Sequence, residues 1–289
     1  MVRWMFAIVL NLKVTMMKSI KNFESKLDYR TLHFLPFLPS RKREQMEIER
    51  KWGDVVFKAK APESLNTYDL ITLMFIIKEY LKQNWDIIEI DGKEVALKKL
   101  NLVKLIKERR ILNKKINRKT ILDSIFRLSQ VDLFFTKNGK THMTKYIYDV
   151  KYDNDYKEIQ IFANKKFIET IINKGILVNL ENFLKLEKEA NGRTEYAILL
   201  YAFLQGTKTK LNINGRKLLK WREKYREDLL FDILNLNNTN LDKRKKREKI
   251  KEAFNVLHKN FDIPKYTYDK FNEMWVRVDL AEKRLNKVR

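Results

Sequence analysis

The chain has no cysteine and only three histidines among its 289 residues. Disulfides, thiolate metal sites and cysteine nucleophiles are therefore excluded, and the redox compartment is left open beyond being compatible with the cytosol. His33, His142 and His258 stand far apart, and none belongs to a metal-ligand spacing. A His-x-His pair, which would hold a metal beside a tyrosine nucleophile, is missing, so the tyrosines are expected to be core and surface residues. Long apolar runs are missing too. Trp4 to Leu10 is broken by Asn11 and Lys13, far short of the roughly 20 residues a bilayer demands. No small-residue cleavage site follows, and Lys18 and Lys21 come soon after, so a signal peptide is not expected. The expectation is a soluble, cytoplasmic protein with no membrane partner, and Met16 and Met17 offer alternative starts.

Negative charge is also in deficit. There are 61 Lys and Arg against 37 Asp and Glu, a formal net charge of +24. Such an excess repels itself in a compact fold unless a polyanion is near, and nucleic acid is the simplest such partner. An AT-rich genome enriches Lys as well, but its Lys tends to be matched by Glu, which is not the case here.

Two motifs that would signal phosphate or metal chemistry are incomplete. Gly139-Lys140-Thr141 ends like a phosphate-binding loop, but Phe134 stands where the earlier glycine is required, so a hairpin turn is expected. Asp149, Asp153 and Asp155 are a carboxylate cluster of the kind that holds Mg²⁺ in polymerase-type sites; Asp and Asn at such spacing more often form a solvated turn. No catalytic residue, metal ligand or cofactor is assigned, and the chain is expected not to be an enzyme.

What is present is ample core material, with 44% hydrophobic and 12% aromatic residues, enough for two domains. The expected division is an arm over 1–54, a first domain over 55–165 and a second over 166–289. In the arm, Pro36 and Pro39 punctuate an aromatic stretch and Arg41 to Trp52 is expected to be helical. Asn66 and Thr67 open a core helix carrying Leu70, Leu73, Met74 and Ile77 on one stripe. Asp91-Gly92 marks a hairpin between Asp86 and Leu97. Helices follow over Asn101–Arg110 and Arg118–Gln130, a short turn apart, then a strand over Val131–Phe135, the Asn138-Gly139 turn and a returning strand over Lys140–Tyr152. The second half repeats the order: Leu199-Leu200-Tyr201 in an apolar helix answers Leu73-Met74-Phe75. A strand over Lys208–Ile213, helices over Asn214–Trp221 and Tyr225–Leu234, a long basic helix over Leu241–Lys259 and a hairpin over Tyr266–Val278 complete it. The expected fold is α+β, two tandem winged-helix domains, mainly helical with small hairpin wings.

Two helices carry groove-reading residue types. In the first, Ile121, Leu122, Ile125 and Leu128 share the apolar side, leaving Lys119, Thr120, Asp123, Arg127 and Gln130 outward; Lys107, Arg109, Arg110, Lys114 and Lys115 flank it as phosphate contacts. In the second, the seam Ile250, Phe254 and Leu257 leaves Arg244, Lys245, Lys249, Lys251, Asn255 and Lys259 pointing away, with Lys243 and Lys246 nearer the seam. A charge run is usually a solvated face, but this one opens a helix, where an anionic partner is also favoured by the dipole.

Leu65-Asn66-Thr67, the run Gly192-Arg193-Thr194-Glu195-Tyr196-Ala197-Ile198-Leu199-Leu200-Tyr201, and Arg247 through Leu257 with Lys251-Glu252-Ala253 carry a resemblance. In these the chain resembles the replication initiators of iteron-containing plasmids, the TrfA-like group among them, over roughly residues 55 to 278. The resemblance implies binding to repeated double-stranded origin DNA, adds Arg247 to the contacting set, and implies recruitment of the host replication initiator and helicase. It further implies monomers that start replication and a homodimer that represses it. A transcriptional regulator is the alternative, and a primase-like enzyme using Asp149 to Asp155 a third.

Overall fold

The computed structural model describes residues 24–27, 29–39, 44–82, 84–110, 116–153, 155, 157–188, 194–213 and 216–280. Trp4–Leu10, Met16, Met17, Lys114, Lys115, Gly192 and Arg193, all invoked above, lie outside these residues.

The chain begins with β1 (Glu24–Leu27) and α1 (Tyr29–Phe34), followed by the antiparallel pair β2 (Met46–Trp52) and β3 (Val55–Ala61). β2 lies within the segment expected to be helical. Its alternation decides against a helix, because Met46, Ile48 and Arg50 are buried while Glu47, Glu49 and Lys51 are exposed, the period of two of a half-buried strand. Next comes α2 (Thr67–Tyr80), entered through the expected cap: the Asn66 side chain accepts from the backbone of Tyr68 and Asp69, and Asp69 Oδ2 accepts from Asn66 N at 2.9 Å. The helix is apolar on all sides, and residues from Leu70 to Lys78 are buried throughout, which places it inside the core rather than on a face of it.

β4 (Asp86–Ile90) and β5 (Lys93–Asn101) form the expected hairpin. Asp91 and Gly92 take φ of 51° and 70°, the left-handed pair that a two-residue hairpin turn needs. α3 (Leu102–Arg110), α4 (Arg118–Gln130) and β6 (Asp132–Lys137) follow close to their expected bounds, and β7 (Lys140–Thr144) starts where expected. The returning strand does not run on to Tyr152. β7 ends at Thr144, and β8 (Asp149–Tyr152) pairs with β9 (Glu158–Asn164) in a different sheet. The step between sheets falls at Tyr146 and Ile147, both buried, so their side chains turn the chain into the core.

The second half contains α5 (Lys165–Lys174), β10 (Ile176–Asn179), α6 (Leu180–Lys188), α7 (Glu195–Gly206), β11 (Thr209–Ile213), β12 (Arg216–Lys220), β13 (Lys224–Arg226), α8 (Glu227–Ile233), α9 (Lys243–Asn260), β14 (Tyr266–Asp269) and β15 (Met274–Arg277). Where a helix was expected over 214–221 there is β12, paired antiparallel to β11 from Thr209↔Lys220 to Ile213↔Arg216. α7 is the second helix buried on all sides, and it packs against α1, α6 and α9.

The architecture is α+β, and the expectation of a mainly helical chain with small wings is overturned. Among the described residues there are two four-stranded antiparallel sheets, β2-β3-β6-β7 and β4-β5-β9-β8, a three-stranded sheet β13-β15-β14 and two-stranded pairs β11-β12 and β1-β10, and the first buried helix packs on β1 and β5. The repeat between halves extends to the buried helices α2 and α7 and not to the sheets around them. β1 pairs with β10 across the halves. Arg50, buried on β2, donates to the carbonyls of Phe34 and Leu35 in the first half and to that of Ile233 at 3.2 Å in the second. Burial lowers its pKa to about 10, against the opposing pull of Asp232, which leaves it charged at neutral pH.

Candidate nucleic-acid interface

α4 starts from Asn117, whose side chain accepts from Thr120 N at 2.9 Å and from the Thr120 hydroxyl at 2.8 Å. Thr120 is half-buried and its hydroxyl proton is engaged in the cap. Lys119, Asp123 and Gln130 are exposed as expected. Arg127 is not. It is 7% exposed and donates to Asp69 through Nη2 at 2.7 Å and Nε at 3.2 Å. The physical reason is Asp69: fully buried as part of the α2 cap, it needs a countercharge, and Arg127 supplies it from one turn above the end of α4. Arg109 is withdrawn in the same way. It is 1% exposed, bonded to Glu187 at 2.7 Å and lying 4.3 Å from the Tyr68 ring centroid. Lys107 and Arg110 remain exposed. Around α4 an open cleft of about 540 Å³ is lined by Lys119, Asp123, Gln130 and Glu63 among others. One exposed cation faces two carboxylates there, a poor electrostatic match to phosphate.

The second helix is better endowed. α9 begins at Asp242, whose carboxylate accepts from Lys245 N at 2.8 Å, and packs by Ile250, Ala253, Phe254 and Leu257, all buried. Phe254 stacks on Tyr266 with centroids 4.6 Å apart and meets Trp275 at 5.4 Å, so the hairpin β14–β15 is fixed to the back of the helix. The opposite side carries Arg244, Lys245, Lys251, Asn255 and Lys259, all exposed, with the Arg244 side chain 87% accessible. Arg244 pairs with Glu248 at 3.2 Å, Lys245 with Asp242 at 3.7 Å, and Lys249, half-buried, with Glu252 at 3.6 Å. Lys251 and Lys259 have no ion-pair partner among the described residues. Exposed pairs of this kind hold their members by about 0–1 kcal/mol, so a phosphate displaces them at little cost.

Arg247, Lys243 and Lys246 have other duties. Arg247 donates to Glu227 and lies 4.4 Å from the Tyr268 ring centroid. Lys243 reaches both Glu227, at 3.0 Å, and Glu273, and Lys246 lies over the Phe231 ring. The carboxylate of Glu227, 3% exposed, thus knits the start of α9 to α8, and its backbone N–H donates to Glu273 O at 3.0 Å in the hairpin. Burial pushes the Glu227 pKa up, but the hydrogen bonds from Arg247 and Lys243 outweigh it and hold the group below the usual carboxylate range. No sequence signal marked Glu227, because its role depends on partners 16 and 20 residues away meeting it in space.

The carboxylates considered for a metal are engaged locally. Asp149 accepts from Val150 N at 2.8 Å, Asp153 from Lys157 N at 2.9 Å, and Asp155 pairs with the Lys157 ammonium at 2.9 Å. Among the described residues no three His, Asp or Glu side chains are grouped to hold a metal ion, and no helix is long and apolar enough to cross a membrane. Gly139 takes φ of 72° in the β6–β7 turn after Asn138 at 51°, the expected hairpin geometry. His142 is exposed on β7, and His258 Nδ1 lies 2.8 Å from Ile263 O.

No protein-family model matches the chain, and no curated protein matches it. Among solved structures it is similar to two crystal structures of domains 2 and 3 of RctB, each 12% identical with a TM-score of 0.49. The match to one covers 80% of this chain and 85% of that chain, and to the other 89% and 99%.

Proposed function

We propose that this protein is a sequence-specific binder of double-stranded DNA that initiates plasmid replication at origin repeats. The observation that carries the DNA-binding part is the outer side of α9, where Arg244, Lys245, Lys251, Asn255 and Lys259 stand exposed, with Glu248 and Glu252 between them paired to Arg244 and Lys249, while the opposite side is locked to the hairpin by Phe254, Tyr266 and Trp275. A rigid helix with cations and an amide on its free side matches the major groove in size and in donor chemistry: Arg and Lys suit guanine O6 and N7, Asn suits adenine N6 and N7. On α4, Lys119 and Gln130 provide a secondary contact through side-chain hydrogen bonds to base edges, since Asp123 and Glu63 beside them disfavour phosphate. The initiation part is supported by the resemblance carried by Leu65 to Thr67, Thr194 to Tyr201 and Arg247 to Leu257, and with it come the host replication initiator and helicase as partners and a homodimer as the repressing form. The chain acts without a cofactor and without an active site of its own.

The test is binding to the DNA that flanks the gene. Direct repeats about two helical turns long beside an AT-rich stretch, bound more tightly than random DNA of the same length, are the expected result. A single palindrome overlapping the gene's own promoter, with no repeats, would instead make the protein a transcriptional regulator.

A further inference from the structure

We infer that Phe271 is a DNA-inserting side chain, placed by its hairpin to wedge between base pairs beside the groove that α9 occupies. This rests on the DNA-binding reading above. Phe271 is 99% exposed, more than any other large hydrophobic residue described. A single exposed apolar residue is ordinary on a protein surface, and what sets this one apart is the way it is held. Asp269 Oδ1 accepts from Phe271 N at 3.0 Å and from Asn272 N at 3.3 Å, and Asp269 Oδ2 accepts from the Asn272 side chain at 2.8 Å. Glu273 closes the loop at a φ of 48°. The loop tip is therefore built, with its own side chains fixing the turn, and it projects its ring into solvent.

Its position follows from Glu273. That carboxylate contacts Lys243, and its carbonyl accepts from Glu227 N, so the loop is tied to the first turn of α9. Two residues of chain span at most about 7 Å, which keeps Phe271 near the N-terminal end of α9, the end whose first turn carries Arg244 and Lys245 on its outer side. Lys270 adds a further exposed cation next to the ring. The two carboxylates of the loop are engaged, Asp269 in the turn itself and Glu273 with Lys243, and an apolar wedge beside the exposed Lys270 suits a polyanionic surface with an apolar interior, which is a stacked duplex opened at one base step. A protein partner of the same shape would have to offer an acidic rim around an apolar socket.

The test uses the full chain and duplexes selected from a random pool by the wild-type protein, labelled at both ends. The wild-type protein is expected to bring the ends closer, the mark of a kink. Phe271→Ala should abolish that bend and bind on the order of 10- to 100-fold more weakly. Its dependence on salt should be unchanged, since no charge is removed, and so should its melting temperature, since the exposed ring supports no part of the core. Phe271→Trp should keep the bend. Wild-type affinity and bending in Phe271→Ala would overturn the inference while leaving DNA binding in place. So would a defect confined to self-association in sedimentation, which would make the ring part of a protein interface. If the wild-type chain enriches no duplex from the pool, the DNA-binding reading itself fails, and the inference with it.

Discussion

Arg127 and Arg247 show how a charged side chain's duty is set by its partner. Both sit on basic helices with spacing that suits DNA, yet Arg127 is committed to the buried Asp69 and Arg247 to the buried Glu227. Replacing Arg127 with Met leaves the Asp69 carboxylate uncompensated inside the protein, at a cost of about 3–5 kcal/mol. A denaturant titration is expected to show that drop in stability, with DNA affinity unchanged in whatever fraction remains folded. A fully stable Arg127→Met that fails to bind DNA would return this residue to the interface. Glu227 makes a pH-dependent version of the same argument. Its pKa is held below the ordinary value of about 4.3, so the stabilisation it provides is fully present above that pH and is lost as pH falls through the lower folded value. Glu227→Gln should lower the melting temperature at pH 7, and the gap to wild type should close as pH falls through the lowered folded value. A gap that is the same at both ends of the range would mean that the carboxylate's charge contributes nothing.

At the scale of elements, what could be read from sequence was whatever is decided locally. The cap at Asn66, the turns at Asp91-Gly92 and Asn138-Gly139, and the stripe of α9 are all settled by residues within a few positions of one another, and the structure has each where the spacing placed it. The strands that were missed are decided at a distance. β2 is fixed by its pairing with β3 and by Arg50, which reaches the carbonyls of Phe34, Leu35 and Ile233, and β12 exists because β11 pairs with it; five residues such as Arg216–Lys220, with Leu218 and Leu219 side by side, carry no clear period of either kind. The site followed the same rule. Outward and inward on α9 were legible from one seam, whereas the withdrawal of Arg109 and Arg127 needed Glu187 and Asp69, which lie 78 and 58 residues away. The recognition role of α9 is tested by replacing Arg244, Lys245 and Lys249 together with Ala. None lies on the buried seam, so the melt should be unchanged, while specific affinity should fall by about 1–3 kcal/mol for each base edge that is no longer read. Phe254→Ala is the control, expected to lose binding only by unfolding, at about 3–5 kcal/mol. A folded triple variant with undiminished affinity would move the case to Lys119 and Gln130.

For the whole molecule, the charge of +24 is either a binding surface or a diffuse consequence of Lys-rich composition, and salt separates the two. Cations spread evenly over the surface do not all approach a duplex docked on one side, and the buried or bridging ones, Arg50, Arg109 and Arg127 among them, are taken out of the count by the fold. If α9, the β14–β15 loop and α4 together meet the DNA, roughly 6 to 10 phosphates are neutralised, and the logarithm of affinity should fall with the logarithm of salt at a slope of about −5 to −9. The triple variant on α9 should reduce that slope by about one for each of its residues that neutralises a phosphate. The same titration, run on supercoiled origin DNA with Mg²⁺ and ATP, should show binding without nicking, nucleotide hydrolysis or primer synthesis, because no phosphate-binding loop is completed at Gly139 and the carboxylates Asp149, Asp153 and Asp155 are engaged in their own turns. A slope near zero would show that the net charge is not the binding surface, and metal-dependent cleavage by the purified protein would place an active site where these residues offer none.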